Sequence, residues 1–419
     1  MTLAVFAEAR LVGEIHEEAG GPRLVYDQAW ARDATAFPLS LTMPRNEAEV
    51  APERFVPWAS NLLPEAEQLA MVGRQLGVAQ SDLVALLEAI GRDTAGALSF
   101  GAPGATSRQA WRPVGTAAAL ERIIEELPNK PFLAGEDGVS MSLAGVQTKL
   151  AVARDDDGGL YIPLDGSPST HILKPDSPRL PGSVQNEAFC LALARRCGLS
   201  VPWFTTGVAG KRSYFLIARY DRAASGGDWL RLHQEDFCQA MGRPPAAKYE
   251  RNRTGTPGPT LAELVAVVRR HALAPDVLAL VDMAAFNILV CNTDAHAKNY
   301  SLLLPAAARP RLAPLYDVMC AEPYDGITRH LAQTIAGKNR GDHLKRRHWL
   351  RFAENAGLGA APLVRRLRAL AETVVAGIAV AQEEVAEMPA GSHPLLPAAA
   401  EAVAARCRAI IAGLDDDSR

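Results

Sequence analysis

"NTDAHAKNYSLLL", residues 292–304, interrupts an apolar chain with Asp294, His296, Lys298 and Asn299 and then turns apolar again. The run before it, "LALVDMAAFNILV" at 278–290, has the apolar density of a buried helix, while "YSLLL" reads as a short strand. Polar residues kept between a helix and a strand serve either turn formation or chemistry. Asn299 stands five positions after Asp294, and a further aspartate, Asp317, follows in "APLYDVM" at 313–319.

Transfer of a phosphoryl group from a nucleotide needs a carboxylate beside the acceptor hydroxyl and oxygen ligands for Mg2+, because positioning and charge neutralisation do most of the work. Protein kinases supply these parts as Asp, then Asn five residues on, then a later Asp. The spacing here fits that order, although a plain loop built on Asx turns fits it as well. Other parts therefore have to be sought upstream. "STHILK" ends an apolar strand-like run on Lys174, and the helix "VQNEAFCLALARRCG" that follows opens with Glu187. A kinase uses such a pair to hold nucleotide phosphates, whereas an edge charge and a first-turn acid are the ordinary alternatives. "SLAGVQTK", residues 142–149, precedes the first strand of this region, and its Ala144, Gly145 and Lys149 suit a phosphate loop. It matches neither of the two common glycine-rich phosphate signatures, so an ordinary turn remains open.

Composition sets the outer limits. With 419 residues the chain has room for two or three domains, and 44 basic against 47 acidic residues leave no global field toward nucleic acid or anionic membrane. No apolar run reaches bilayer length and the N-terminus lacks a signal-peptide pattern, so a cytoplasmic protein without membrane partners is expected. Six cysteines, at 190, 197, 238, 291, 320 and 407, form no C-x-x-C pair and are expected as inert thiols.

Three regions follow along the chain. Alternation in "LAVFAEARLVGEIHEE", "RLVYDQAW" and "FPLSLTMP" predicts a small antiparallel sheet; "PERFVPWASNLLPEAEQLAMVGRQLG" and "SDLVALLEAIGRD" then read as helices, the second behind a Ser N-cap. This first domain is expected over 1–110, ending near "GAPGATSR". A strand-rich region with one helix is expected over 111–240, and a largely helical one over 241–419, entered through a mobile Gly, Pro and Arg-rich loop, "QAMGRPPAAKYERNRTGTPGPT". The basic run in "GKNRGDHLKRRHWLRF" reads as a solvated helix face. The acidic tail "DDDSR" reads as frayed.

Taken in order, "SLAGVQTK", "THILK", "NEAFCLALARRCGL", "LHQEDFCQAMG" with "KYE", "NTDAHAKN" and "LAPLYDV" resemble the HipA-like Ser/Thr kinases, the toxins of HipBA toxin–antitoxin systems. "FVPWASNLLPEAEQ" resembles the N-terminal domain that these proteins carry. The resemblance implies an α+β, two-lobed protein-kinase-like fold, a strand-rich lobe followed by a helical one, behind a small sheet-and-helix domain. It implies Asp294 as catalytic base, Asn299 and Asp317 as Mg2+ ligands, and ATP as cofactor. Lys174 would meet the phosphates, and Ala144, Gly145, Val146, Gln147, Thr148 and Lys149 would form the phosphate loop. The stretch Glu235, Asp236 and Phe237 would be the hinge that reads adenine, with His296, Ala297, Lys298 and Tyr316 lining the nucleotide site. Ser142 matches the family's autophosphorylation position, where two negative charges would repel a bound triphosphate.

The same resemblance implies an aminoacyl-tRNA synthetase as substrate, hence inhibition of translation. It also implies a HipB-like helix-turn-helix antitoxin as partner, through which operator DNA is met. Two other classes are weighed beside it: a small-molecule phosphotransferase of the aminoglycoside type, and a catalytically inactive transcriptional co-repressor.

Overall fold

The computed structural model describes residues 1–416 apart from 107 and 109, so the last three residues of the acidic tail and Ser107 of the expected domain boundary lie outside it. The chain divides into two compact units. One holds Met1–Pro175, Val208–Pro245 and Leu302–Pro310; the other holds Asp176–Gly207, Ala246–Ser301 and the chain from Arg311.

The first unit begins with an antiparallel sheet of β1 (Thr2–Ala7), β2 (Arg10–Glu18), β3 (Gly21–Tyr26), β4 (Glu49–Val50) and β5 (Leu98–Phe100), in the order β4-β3-β2-β1-β5. Period-two alternation sends Leu3, Val5, Ala7, Leu24 and Tyr26 to the core. Gly13 sits where β2 crosses β3 so closely that a Cβ would lie 2.3 Å from the Val25 carbonyl oxygen, which leaves glycine as the residue that fits.

Four readings of this region are corrected by the structure. "RLVYDQAW" is strand only to Tyr26; Asp27 then caps a short helix, α1 (Gln28–Arg32), its carboxylate accepting from Ala29 N (2.9 Å) and Trp30 N (3.0 Å). "FPLSLTMP" is a turn with a single bridge, Ser40 to Met43, and not a strand. Prolines at 38 and 44 remove ladder donors, and the backbone between them turns to side chains: the Tyr26 hydroxyl donates to Met43 O (2.6 Å) and accepts from Leu39 N (3.2 Å). The long helical stretch 52–77 is two helices, α2 (Pro52–Ser60) and α3 (Ala66–Leu76), broken at Pro64, whose ring disfavours helix at the residue before it. The next helix, α4 (Leu83–Ile90), is capped by Asp82 and not by Ser81: the Asp82 carboxylate accepts from Ala85 N at 2.9 Å.

A second sheet of the same unit sets Arg212–Ala218, His171–Pro175, Leu150–Arg154, Leu160–Pro163 and Trp111–Pro113 side by side in that order, each pair antiparallel. The two sheets share one apolar cluster, in which Val5, Trp58 and Phe100 are continuous with Leu150, Val152, Leu173 and Leu216. They also share a buried ionic knot. Asp93 accepts from Arg222 (2.8 Å) and from the Ser169 hydroxyl (2.5 Å), with Arg219 and Arg231 each at 3.4 Å, while Arg219 holds Asp221 with two nitrogens. Burial opposes ionisation of Asp93, yet the charges of Arg222, Arg219 and Arg231 outweigh it and hold the carboxyl far below its usual range.

The second unit is helical. Ser183–Arg196, Leu261–His271, Ala274–Leu289, Arg346–Asn355, Ala360–Ala386 and Leu395–Asp415 are its main helices, and Ala360–Ala386 packs against both Ser183–Arg196 and Leu395–Asp415. Helix Ser183–Arg196 is buried along Ser183–Ala194, so it is a core element and not an amphipathic surface helix. Helix Arg346–Asn355 buries Trp349, Phe352 and Ala353 and leaves Arg347 and Arg351 exposed, as the basic run suggested. The six cysteines are free thiols, five of them buried. Among the described residues no helix is long and apolar enough to cross a membrane.

Candidate active site

In the helical unit, the loop after helix Ala274–Leu289 starts from Cys291 in left-handed backbone (φ 61°) and is tied down by its own polar groups. Asn292 N donates to Asn287 O (2.8 Å) and the Asn292 amide donates to Asn287 Oδ1 (2.8 Å), while Asn292 Oδ1 accepts from Asp294 N (3.1 Å). His296 N returns to Asp294 O at 2.7 Å, and residues 297–299 close a single 3-10 turn. The Asn299 amide donates to Asp294 O at 2.9 Å. The structure thus joins the two residues that the five-residue spacing singled out. Asn292 also reaches Asp317 O (3.5 Å), and the Tyr316 hydroxyl donates to Lys298 O (2.9 Å) and pairs with Ser301 Oγ (2.7 Å). Asp294, His296, Ala297, Lys298, Asn299, Tyr316 and Asp317 therefore form one cluster.

Within it the side chains differ sharply in exposure. Asp294 is exposed, whereas His296, Lys298 and Asn299 are buried. Burial, reinforced by the charge of Lys248, pushes the His296 imidazole down to about 3, so the ring is neutral. Asp317 takes left-handed backbone (φ 59°), a strained state for a residue other than glycine and one often found at functional positions.

Asn299 has its amide nitrogen committed to the loop, which leaves Oδ1 as its ligand atom; with the Asp317 carboxylate this makes an all-oxygen donor pair. Mg2+ takes one or two protein oxygens and completes its shell with water and phosphate, so the pair fits it. No cluster of three or more His, Cys, Asp or Glu suited to a metal occurs among the described residues.

One residue of this cluster escaped the sequence reading. The hydroxyl of Tyr249 donates to Asp294 Oδ1 at 2.5 Å, and its ring meets His296 edge to face at 5.1 Å. Tyr249 belongs to the Gly, Pro and Arg-rich segment expected to be mobile. That segment is instead pinned in its middle: Lys248 O accepts from Ala297 N (3.1 Å), and the Glu250 carboxylate takes both the backbone N and the hydroxyl of Thr334. Its only sequence signal was an aromatic residue in an otherwise apolar-poor stretch.

Of the other expected parts, all but Glu187 lie in the first unit. Lys174 is buried on strand His171–Pro175, opposite Phe215; Glu187 lies buried on helix Ser183–Arg196 of the helical unit. Gln234–Asp236 is a strand that runs into a short helix, Phe237–Ala240, through a capping box of Asp236 and Gln239. Glu235 points inward and is fully buried, its Oε1 accepting from Leu41 N at 2.9 Å. Burial pushes its carboxyl up to about 8.

In the stretch 142–149, Val146 is exposed while Ser142 is fully buried, its hydroxyl donating to Leu62 O at 2.7 Å. Gly145 adopts φ +105°, a conformation that favours glycine, and Lys149 Nζ donates to Ala144 O across the turn.

The chain is similar to known proteins. A HipA-like C-terminal domain matches residues 141–381, and a HipA N-terminal domain matches residues 3–101. Y4mE of Sinorhizobium fredii, provisionally named a kinase, is 35% identical over 397 residues, 92% of this chain and 93% of its own length. The serine/threonine-protein kinase toxin HipA of Shewanella oneidensis is 30% identical over 394 residues, 90% of this chain and 89% of its own. The solved complex of HipA, HipB and operator DNA from Shewanella oneidensis MR-1 matches with a TM-score of 0.84 at 26% identity, covering 99% of this chain and 98% of that one. The fold is thus kinase-like, mixed sheet and helix with a sheet domain in front, and with both domains matched in order the chain belongs to the HipA-like kinase family.

Proposed function

We propose that the chain is an ATP-dependent protein Ser/Thr kinase and the toxin component of a toxin–antitoxin pair acting in the cytoplasm. The observation that supports this most directly is Asp294: the residue is exposed, its backbone is held by its own loop, and its carboxylate already accepts a hydrogen bond from a hydroxyl, that of Tyr249. A Ser or Thr hydroxyl at the same oxygen would be oriented for attack and would lose its proton there. Lys174 would neutralise the nucleotide phosphates, the amides of residues 144–149 would cradle them, and the backbone of Glu235 and Phe237 would read adenine. Mg2+, held by Asn299 and Asp317, would supply charge neutralisation of the transferring group.

The family supports an aminoacyl-tRNA synthetase as target, with translation inhibited as a result. It supports a HipB-like helix-turn-helix partner that brings operator DNA, as HipA of Shewanella oneidensis is assembled with HipB and operator DNA. Ser142 would be the self-phosphorylated residue. Its burial means that the loop must leave its seat first, and a phosphoserine, which lacks the hydroxyl proton given to Leu62 O, would not return to it.

The test is incubation with Mg2+ and ATP beside an Asp294→Asn variant, followed by intact mass and peptide mapping, and then labelling of a panel of aminoacyl-tRNA synthetases. One phosphate on the Ser142 peptide of the wild type, absent from the variant, is the expected result. Absence of phosphate in freshly dephosphorylated protein that binds ATP would remove the self-phosphorylation, and an unlabelled panel would remove the target class.

A further inference from the structure

The stretch read as the phosphate loop is gripped from outside the lobe that carries it in sequence. Four contacts bind its inner side to residues 62–68, the link between α2 and α3 of the N-terminal domain. The Ser142 hydroxyl donates to Leu62 O at 2.7 Å. Pro64 and Gly145 form a parallel β-bridge, and Glu65 N donates to Gly145 O at 3.4 Å. The Gln68 amide donates to Val146 O at 2.6 Å. The grip thus reaches three of the five residues from 142 to 146, and at its outer end it is the Gln68 side chain that holds Val146.

Gln68 has the features of a residue placed for this contact. It is 7% exposed, and its Oε1 is buried without a hydrogen-bond partner among the described residues. A small cavity of about 20 Å³, lined by Gln68, Met71, Thr148 and Lys149 among others, lies beside it, room for about one water. A buried amide with one end unsatisfied is a net cost unless the other end is needed.

We propose that residues 62–68 are a clamp on the phosphate loop and that Gln68 is its positioning residue, so that the N-terminal domain sets how often the loop leaves its seat. The proposal rests on the reading of 144–149 as the phosphate loop. Loosening the clamp frees the loop, weakens its hold on nucleotide phosphates and releases Ser142. Because bound ATP draws the loop back, the weakening raises KM for ATP and spares kcat.

The test is hydrogen exchange on the full-length chain without nucleotide, comparing wild type with Gln68→Met, which keeps the side-chain length and removes the donor. One lost hydrogen bond predicts roughly three- to tenfold faster exchange in peptides spanning 143–148, with peptides of β1 and β2 unchanged as the control for folding. Gln68→Glu, which places a carboxylate against Val146 O, should exceed that, and serves if the methionine variant fails the control. Unchanged exchange at 143–148 in a variant that passes the control would overturn the clamp.

Adding ATP separates the two readings. Faster loop exchange with no ATP protection in either protein keeps the clamp and removes the kinase reading. Equal exchange with equal ATP protection keeps the kinase reading and removes the clamp.

Discussion

The loop at Asp294 and the stretch 142–149 are both short and built around small residues, yet they are held by different means. Around Asp294 the bonds are mostly local, the Tyr249 hydroxyl from 45 positions back being the exception. Asn299 reaches back five positions, Tyr316 reaches back 18 and Asn292 reaches forward 25. Around Ser142 and Glu235 they are remote: Leu62 lies 80 positions away, Gln68 lies 78 from Val146, and Leu41 lies 194 from Glu235. A locally tied loop keeps its shape as long as its helix stands. A remotely tied one can be let go by another domain, which suits the part of a kinase that has to be switched.

If the local cluster does chemistry, Asp294→Asn should lower phosphoryl transfer by about a thousandfold while leaving the unfolding midpoint nearly unchanged. A variant with wild-type turnover in a radiolabel transfer assay would break the comparison at its first member.

The remote half should instead fail in stability. Asp93→Ala leaves three buried guanidinium groups short of an anion and is expected to cost roughly 3 to 5 kcal/mol in urea unfolding. A cost below about 1 kcal/mol would mean that the knot is solvated in solution, against the general cost of uncompensated buried charge.

Glu235 gives a pH signature. Folding raises the Glu235 carboxyl from 4.5 to about 8, so its contribution is complete below the lower value and is lost as pH rises through the upper one. Wild-type stability should fall by a few kcal/mol between about pH 5 and about pH 8.5 relative to Glu235→Gln. Parallel profiles would show that the carboxyl is reached by water.

The smallest effect is expected from Tyr249→Phe, which removes one hydrogen bond to the Asp294 carboxylate. Turnover should drop about tenfold with no loss of fold. A rise in turnover would instead identify the tyrosine as an occupant that the substrate hydroxyl must displace.

The same contrast decides what could be read from the sequence. Spacing in "NTDAHAKN" and "APLYDV" brought Asp294, Asn299 and Asp317 forward because their contacts are short-range. Period two gave β1 to β3 correctly, since one face of each is buried, and failed at "FPLSLTMP", where prolines turned an alternating pattern into a turn. The inward aim of Glu235, the clamp at Gln68 and the pairing of Asp93 with three arginines carry no local pattern, because each partner is set by the way distant segments pack. Tyr249 falls between: its segment was quoted, but its reach to Asp294 crosses 45 positions.

The arginine knot also puts the chain on a timetable. Its first arginine, Arg219, follows Asp93 by 126 positions, which a ribosome adding about 5 to 20 residues per second covers in roughly 6 to 25 seconds. Until then the carboxylate of the N-terminal domain has no cations to meet, and that end of the domain stays open to water. A ribosome stalled between residues 101 and 219 would hold an unfinished domain, exposed to proteases for as long as the stall lasts. A protein proposed to halt translation is itself completed only by translation that runs without pause.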